Sequence, residues 1–149
     1  MLSRGYGGSL PVLEVQHAQA LQWVAAAALP AAAFAGEAGG KIGSLAEAAG
    51  CDIVCTATPS TTPILERSWI RPGTHINAIG SYRPETREIP GATVGRARLV
   101  VDSRSACLAE AGDLILAIRE GHLAEDARPV ELGELVAGAA PGRAGDEEV

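Results

Sequence analysis

Short apolar runs recur through the middle of the chain, each followed by a polar stretch. Three of them have the β-branched, apolar character of strands: "CDIVCTAT" from Cys51, "THINAIG" from Thr74 and "ARLVVDS" from Ala97. Helical patterns lie between and after them. Strands that alternate with helices predict an α/β fold built on a parallel sheet with crossover helices.

The helical stretches have recognisable ends. "SLAEAAG" begins at a capping residue, Ser44, and ends on Gly50. "SRSACLAEAGDLILAIREG" predicts a helix with a break at Gly112 and a stop at Gly121. The last ten residues, "APGRAGDEEV", are polar and acidic, and we expect them to be frayed.

An alanine-rich segment, residues 14–29, predicts a buried helix that Pro30 ends. A secretory signal peptide is the alternative, because the apolar run ends in Ala-Phe-Ala-Gly. The leader before the run is long, however, and it contains Glu14 with Arg4 as its one basic residue. These features favour the buried helix.

Polar residues cluster where the three predicted strands end. The ends read "TATPSTTP", "AIGSYRPE" and "VVDSRSA", and each carries hydroxyls, amides or charges. Ligands of parallel sheets bind outside the carboxyl ends of the strands. The pattern therefore indicates a ligand site at one edge of the sheet, with ordinary polar loops as the alternative.

Composition narrows the possible partners. The chain of 149 residues is long enough for one domain, and its net charge of −6 argues against nucleic acid and against an anionic membrane surface. Three cysteines without C-x-x-C spacing indicate reduced thiols in a cytoplasmic protein. The three histidines are scattered, so we expect no metal site.

Several runs together resemble a known family. They are "DIVCTATPSTTPIL", "WIRPGTHINAIGSYRPETREI" and "LVVDSRSACLAEAGDL", continued by "VELGELVAG" and by "GR" at 142–143. Their order and spacing over about residues 44–147 resemble the ornithine cyclodeaminase/mu-crystallin family. The resemblance implies a Rossmann-like domain with flanking helices that binds NAD(P)H. It also implies oxidation or reduction at the amino or imino carbon of a small amino acid, often by a homodimer.

The resemblance also implies cofactor-binding residues at the strand ends. Asp102 and Ser103 would lie beside the nicotinamide, although either could simply cap the helix that follows. The full set of implied cofactor residues is Thr58, Pro59, Ser60, Asn77, Gly80, Asp102 and Ser103.

The loop "GSYRPETRE" bears on the reaction. Aligned on Gly80 and Glu88, the aspartate that the family's cyclodeaminases carry in this loop is replaced by Tyr82. Tyrosine titrates at about pH 10, which makes it a poor acid/base at neutral pH. The loop therefore argues against ornithine cyclodeamination and resembles the ketimine reductase branch. Arg83 and Glu88 are the catalytic candidates, and a loop that is merely salt-bridged, Arg87 included, is the alternative.

The beginning of the chain departs from the family pattern. Val15 and Gln16 match the start of the first nucleotide-binding helix, but Val12 and Glu14 occupy its two glycine positions. Glycines there let the backbone approach the pyrophosphate, and a glutamate would oppose it. Residues 31–43 are also too few for the second strand and the residue that reads the ribose. The sequence therefore does not choose between NADH and NADPH.

We accordingly expect a truncated or degraded member of the family. Residues 1–43 would be a degraded start of the dinucleotide-binding domain, 44–128 its carboxyl-terminal part, and 129–149 the start of the return to a substrate and dimerisation domain. Whether the chain is itself an enzyme stays open. A non-catalytic remnant or binding fragment and an ornithine cyclodeaminase are the alternatives to a ketimine reductase-like oxidoreductase.

Overall fold

The structure of the protein, a computed structural model, describes residues 44–149. The predicted helix at 14–29, its signal-peptide alternative, segment 31–43 and the departures at Val12 and Glu14 lie outside the described residues.

The first helix, α1 (Leu45–Ala49), begins where the sequence predicts. Ser44 Oγ accepts a hydrogen bond from the Glu47 N–H at 3.3 Å, and the Ser44 N–H donates to the Glu47 carboxylate at 2.8 Å. This reciprocal capping box satisfies two amides that a helix start leaves without partners. Ala48 and Ala49 bury the inner face of the helix.

Strands β1 (Ile53–Thr56) and β2 (His75–Ala78) form a parallel pair, with Ile53 opposite His75 and Thr56 opposite Ala78. A crossover that contains a 3₁₀ turn (Arg67–Trp69) joins them. Val54 and Thr56 are buried, whereas Ile53 and Cys55 are exposed. The sequence suggested a wholly buried strand, but residues 44–149 cover one face of this sheet only.

The third predicted strand, β3 (Val100–Val101), lies in a second parallel pair with β4 (Val130–Glu131). We expected one sheet, and the described residues form two sheets of two strands. Arg104 explains the pairing of β3 with β4. Its guanidinium donates to the Pro129 carbonyl at 2.8 Å and to the Glu134 carboxylate at 2.6 Å. Its backbone N–H donates to the Glu131 carboxylate at 2.7 Å. These three bonds hold the β4 segment against the end of β3.

Four more helices complete the described part: α2 (Gly91–Val94), α3 (Arg104–Glu110), α4 (Gly112–Arg119) and α5 (Leu132–Val136). The break between α3 and α4 falls at Ala111, next to the predicted Gly112. Gly121, just past α4, has φ of 74°, a conformation that glycine adopts most easily. None of the helices in residues 44–149 is long and apolar enough to cross a membrane.

The core lies between β1, α1, α2 and α4 and is small. Three of its nine buried apolar residues are alanines, which bury little area each. The set is Ala48, Ala49, Val54, Ile64, Leu65, Ile89, Val94, Leu114 and Ala117.

The acidic tail is held in place, so the expectation that it is frayed is wrong. Arg143 donates to the carbonyls of Gly73 and Thr74 at 2.7 and 3.1 Å. The Gly73 N–H donates to Glu147 O at 3.0 Å, and the Arg98 N–H donates to Val149 O at 2.7 Å. These bonds tie residues 143–149 to the start of β2 and the approach to β3.

Two helical glycines provide a test of this packing. An added Cβ at Gly112 would collide with the carbonyl oxygens of Arg83 and Thr86, whereas one at Gly133 would meet nothing within 4 Å. We expect Gly112→Ala to lower the free energy of unfolding by about 1–3 kcal/mol. Gly133→Ala should leave it unchanged or raise it by roughly 0.5–1 kcal/mol. Urea unfolding followed by circular dichroism measures both, and equal effects would contradict this packing.

Candidate functional site

The loops that follow β1 and β2 leave the sheet side by side. Thr56 and Ala78 face each other in the parallel register, and the Ile79 N–H extends the ladder by donating to Thr56 O at 2.8 Å. Two of the three predicted ligand-binding strand ends are therefore neighbours.

A buried carboxylate, Glu88, joins these two loops. Its side chain is among the largest that are fully buried, with the residue 0% exposed. Oε1 accepts from the Thr58 N–H at 2.6 Å, and Oε2 accepts from the Gly80 N–H and the Thr56 hydroxyl, both at 2.8 Å. Buried carboxylates need such donors to replace water. Within residues 44–149, Glu88 forms no ion pair.

Gly80 is needed here for close packing. A Cβ at this position would collide with the backbone N and O of Thr58 and would lie 2.7 Å from the Glu88 carboxyl carbon. The family resemblance predicts that Gly80 binds the cofactor. The structure supplies a second reason for glycine, the close approach of the β1 loop.

A second buried network fixes the loop that carries Glu88. Asp113 Oδ1 accepts from the N–H groups of Glu88 and Ile89, both at 2.9 Å. The Asp113 N–H donates to Ser81 Oγ at 2.7 Å, and that hydroxyl donates to Thr86 O at 3.1 Å. Sequence reasoning missed Asp113, although an acidic residue at the start of the apolar run "LILAI" signals that it accepts hydrogen bonds there.

Burial dominates the electrostatics of Asp113. It raises the pKa of this carboxyl, and the nearby charge of Glu88 raises it further, while the two backbone N–H bonds and Ser81 oppose the shift. Asp113 Oδ2 is buried without a hydrogen-bond partner in the described part of the chain. Ionising Asp113 is therefore less favourable in the folded protein than in water.

The outer part of the same loop is exposed. Tyr82 is 56% exposed, and the Arg83 guanidinium carbon lies 5.2 Å from the centre of its ring. Arg87 differs: its side chain is 11% exposed and bonds both oxygens of Glu120, at 2.5 and 2.7 Å. The salt-bridge interpretation thus describes Arg87, and hydrogen bonding to Glu120 raises its pKa.

The end of β3 presents Asp102 to solvent. Its carboxylate accepts from the Cys107 thiol at 3.2 Å and from the Ser103 N–H at 2.8 Å, and these bonds, the thiol's first, lower its pKa. Ser103 precedes α3 but makes no side-chain cap, and its hydroxyl lies 3.3 Å from that of Ser105. The capping alternative therefore does not describe the Ser103 side chain.

A cavity of about 760 Å³ lies between the two sheets. Asn77 and Asp102 line it, with Tyr82 and Cys107. The other predicted site residues do not line it: Thr58, Pro59, Ser60, Gly80, Ser103, Arg83 and Glu88.

The loop after β1 uses its hydroxyls internally. Thr58 and Ser60 are buried, Ser60 Oγ donates to Thr62 O at 2.7 Å, and Thr58 Oγ1 accepts from the Ser60 N–H at 3.4 Å. Within residues 44–149, no three His, Cys, Asp or Glu side chains are grouped to hold a metal ion.

Comparison with known proteins assigns the family. The profile of the ornithine cyclodeaminase/mu-crystallin family matches residues 38–149. The chain belongs to this family. Delta(1)-pyrroline-2-carboxylate reductase of Bacillus cereus is 40% identical over 99 residues, which are 66% of this chain and 30% of that relative. Ketimine reductase mu-crystallin of Rattus norvegicus is 44% identical over 92 residues, which are 62% of this chain and 27% of that relative.

Solved structures agree with the α/β, Rossmann-like fold. Thermococcus litoralis Delta(1)-pyrroline-2-carboxylate reductase in complex with NADH and L-proline has a TM-score of 0.70 at 31% identity, covering 91% of this chain and 41% of that one. An archaeal alanine dehydrogenase dimer with bound NAD has a TM-score of 0.69 at 30% identity, and the match covers 87% of this chain and 38% of that one. These relatives confirm the predicted family and fold and support the NAD(P)H cofactor that the resemblance implies. The chain spans less than a third of the length of the curated relatives named above.

The pH dependence of stability tests the burial of Asp113. Because its folded pKa lies above the ordinary value of 3.8, the stability that this group contributes is complete below that value and is lost as pH rises through the folded pKa. We expect the free energy of unfolding of the wild type to fall, relative to Asp113→Asn, as pH rises above the ordinary value of 3.8 and through the raised folded pKa.

Urea unfolding of both proteins across this range measures the difference. Asp126→Asn, an exposed site with the same change of charge, is the matched control. If the difference in the free energy of unfolding between the wild type and Asp113→Asn stays constant with pH, Asp113 ionises as freely in the folded protein as in water.

Proposed function

We propose that residues 44–128 form the carboxyl-terminal part of an NAD(P)-binding domain in an imine reductase of amino acids. Residues 129–149 would begin the return to the rest of the protein, and residues 1–43 would begin the cofactor domain. The observation that carries the proposal is that the loop after β2, which Glu88 holds against the loop after β1, borders a cavity together with the end of β3.

The residues at this cavity fit the nicotinamide half of the cofactor. Asn77 offers an amide that both donates and accepts, and Asp102 offers carboxylate oxygens that accept from a hydroxyl or a carboxamide. A cavity of about 760 Å³ has room for such a group beside a small imino acid. When bound, the reduced cofactor supplies a hydride for the imine carbon.

The tip of the 80–88 loop favours reduction over deamination. Tyr82 lines the cavity where a cyclodeaminase would carry an aspartate, so no carboxylate is offered at that position. Arg83, exposed beside Tyr82, forms no ion pair among the described residues and would attract the substrate's carboxylate. The substrate would be a small cyclic imino acid such as pyrroline-2-carboxylate.

The setting of the protein is also part of the proposal. Cys51, Cys55 and Cys107 are free thiols, which suits a reducing cytoplasm. A homodimer is proposed by analogy with the archaeal alanine dehydrogenase.

Cofactor binding tests the proposal directly. We expect NADH or NADPH to quench the fluorescence of Trp23 and Trp69 saturably, with a micromolar Kd, and pyrroline-2-carboxylate to be reduced to proline. Absence of binding by the folded chain would support the alternative of a non-catalytic remnant. Ammonia release from ornithine would instead support a cyclodeaminase.

A matched pair of variants locates the binding site. Asp102→Asn should raise the cofactor Kd roughly tenfold, because it weakens a hydrogen bond to a charged acceptor. Asp126→Asn, exposed in a turn that does not line the cavity, should leave the Kd unchanged. Equal values for the two variants would contradict a site at the end of β3.

A further inference from the structure

Glu88 binds four separate parts of the fold. Its carboxylate accepts from the ends of β1 and β2, through the N–H groups of Thr58 and Gly80. Its carbonyl accepts from the N–H groups of Ile64 and Leu65 at 2.9 and 3.4 Å. Its own N–H donates to Asp113 at the start of α4. A change at this residue is therefore transmitted to both strand-end loops.

The same geometry excludes direct contact between Glu88 and a ligand. The residue is 0% exposed and does not line the cavity. Thr58 and Gly80 are implied cofactor residues, and their backbone N–H groups already donate to Glu88. Glu88 thus acts on the loops and not on the reacting atoms.

The chemistry of the site requires a carboxylate and not an amide. Three donors converge on two oxygens, and two of these donors are backbone N–H groups on different oxygens. A glutamine has one carbonyl oxygen, so its NH₂ group would face an N–H of Thr58 or of Gly80. A buried N–H left without an acceptor shifts its loop toward water or toward another acceptor.

We infer that Glu88 is a positioning residue that sets the spacing of the loops after β1 and β2, and through that spacing the affinity for the cofactor. The inference rests on the proposed function, because it assumes that the loop after β2, held against the loop after β1, meets NAD(P)H. It also assigns the buried glutamate a role other than acid/base catalysis, for which it was a candidate.

Glu88→Gln and Glu85→Gln form a matched pair in one loop, the first buried and the second exposed. We expect Glu88→Gln to raise the Kd for NADH about tenfold and to lower kcat while the KM for the imine changes little. Glu85→Gln should match the wild type in the Kd for NADH, in kcat and in the KM for the imine. A folded Glu88→Gln with wild-type Kd and kcat would overturn the inference while leaving the proposed function intact.

Hydrogen exchange of the wild type tests the network without any cofactor, and also if Glu88→Gln does not fold. The amides of Thr58 and Gly80 should exchange at least 100-fold more slowly than that of exposed Glu85. Exchange as fast as that of Glu85 would overturn the inference. A wild type that protects both amides but binds no NADH would refute the proposed function, and with it the effect on cofactor affinity, while supporting the hydrogen-bond network itself.

Discussion

Complete burial of the Glu88 carboxylate is the constraint on which the rest of the described structure depends. A buried carboxylate is stable only where donors replace its lost water, and these donors come from the turns after two neighbouring strands. Gly80 has no side chain because the turns must approach closely enough to share that carboxylate. Asp113 and Ser81 in turn fix the loop that carries Glu88. The strand ends are therefore held by polar groups, in a fold whose apolar core is small and rich in alanine.

Within the 80–88 loop, the residues that support the fold are different from those that can contact a ligand. The inward residues Ser81, Thr86 and Glu88 are buried and hydrogen-bonded, whereas Tyr82 and Arg83 at the tip stay exposed. Asn77 and Asp102 reach the cavity from strands in different sheets. A rigid base with an exposed polar rim is what a site for a cofactor and a small imino acid requires. We propose this use of the site; the family assignment and the NADH-bound relative support a cofactor of this kind.

The sequence predicted the parts that depend on local chemistry. Ser44 capping α1, the break near Gly112 and the parallel strands all follow from propensity and pattern. It did not predict the pairing of β3 with β4, because that pairing depends on Arg104 contacting residues more than twenty positions away. The sequence also did not predict that the tail packs against the fold, because Arg143 binds the carbonyls of Gly73 and Thr74, which are distant in sequence. Glu88 was a catalytic candidate, with a salt-bridged loop as the alternative, because burial cannot be read from a polar loop. Its donors are the Thr56 hydroxyl and two backbone N–H groups, distant in sequence.

The most direct test of the account is to map the NADH site by two-dimensional ¹H–¹⁵N NMR on the labelled chain. The account predicts shifts on adding NADH at the amides of Asn77, Ile79 and Asp102, which line the cavity between the sheets. It predicts no shift at Asp126, an exposed residue that does not line that cavity. Shifts confined to residues away from the strand ends, or none at saturating NADH, would contradict the claim that the ends of β2 and β3 form the cofactor site.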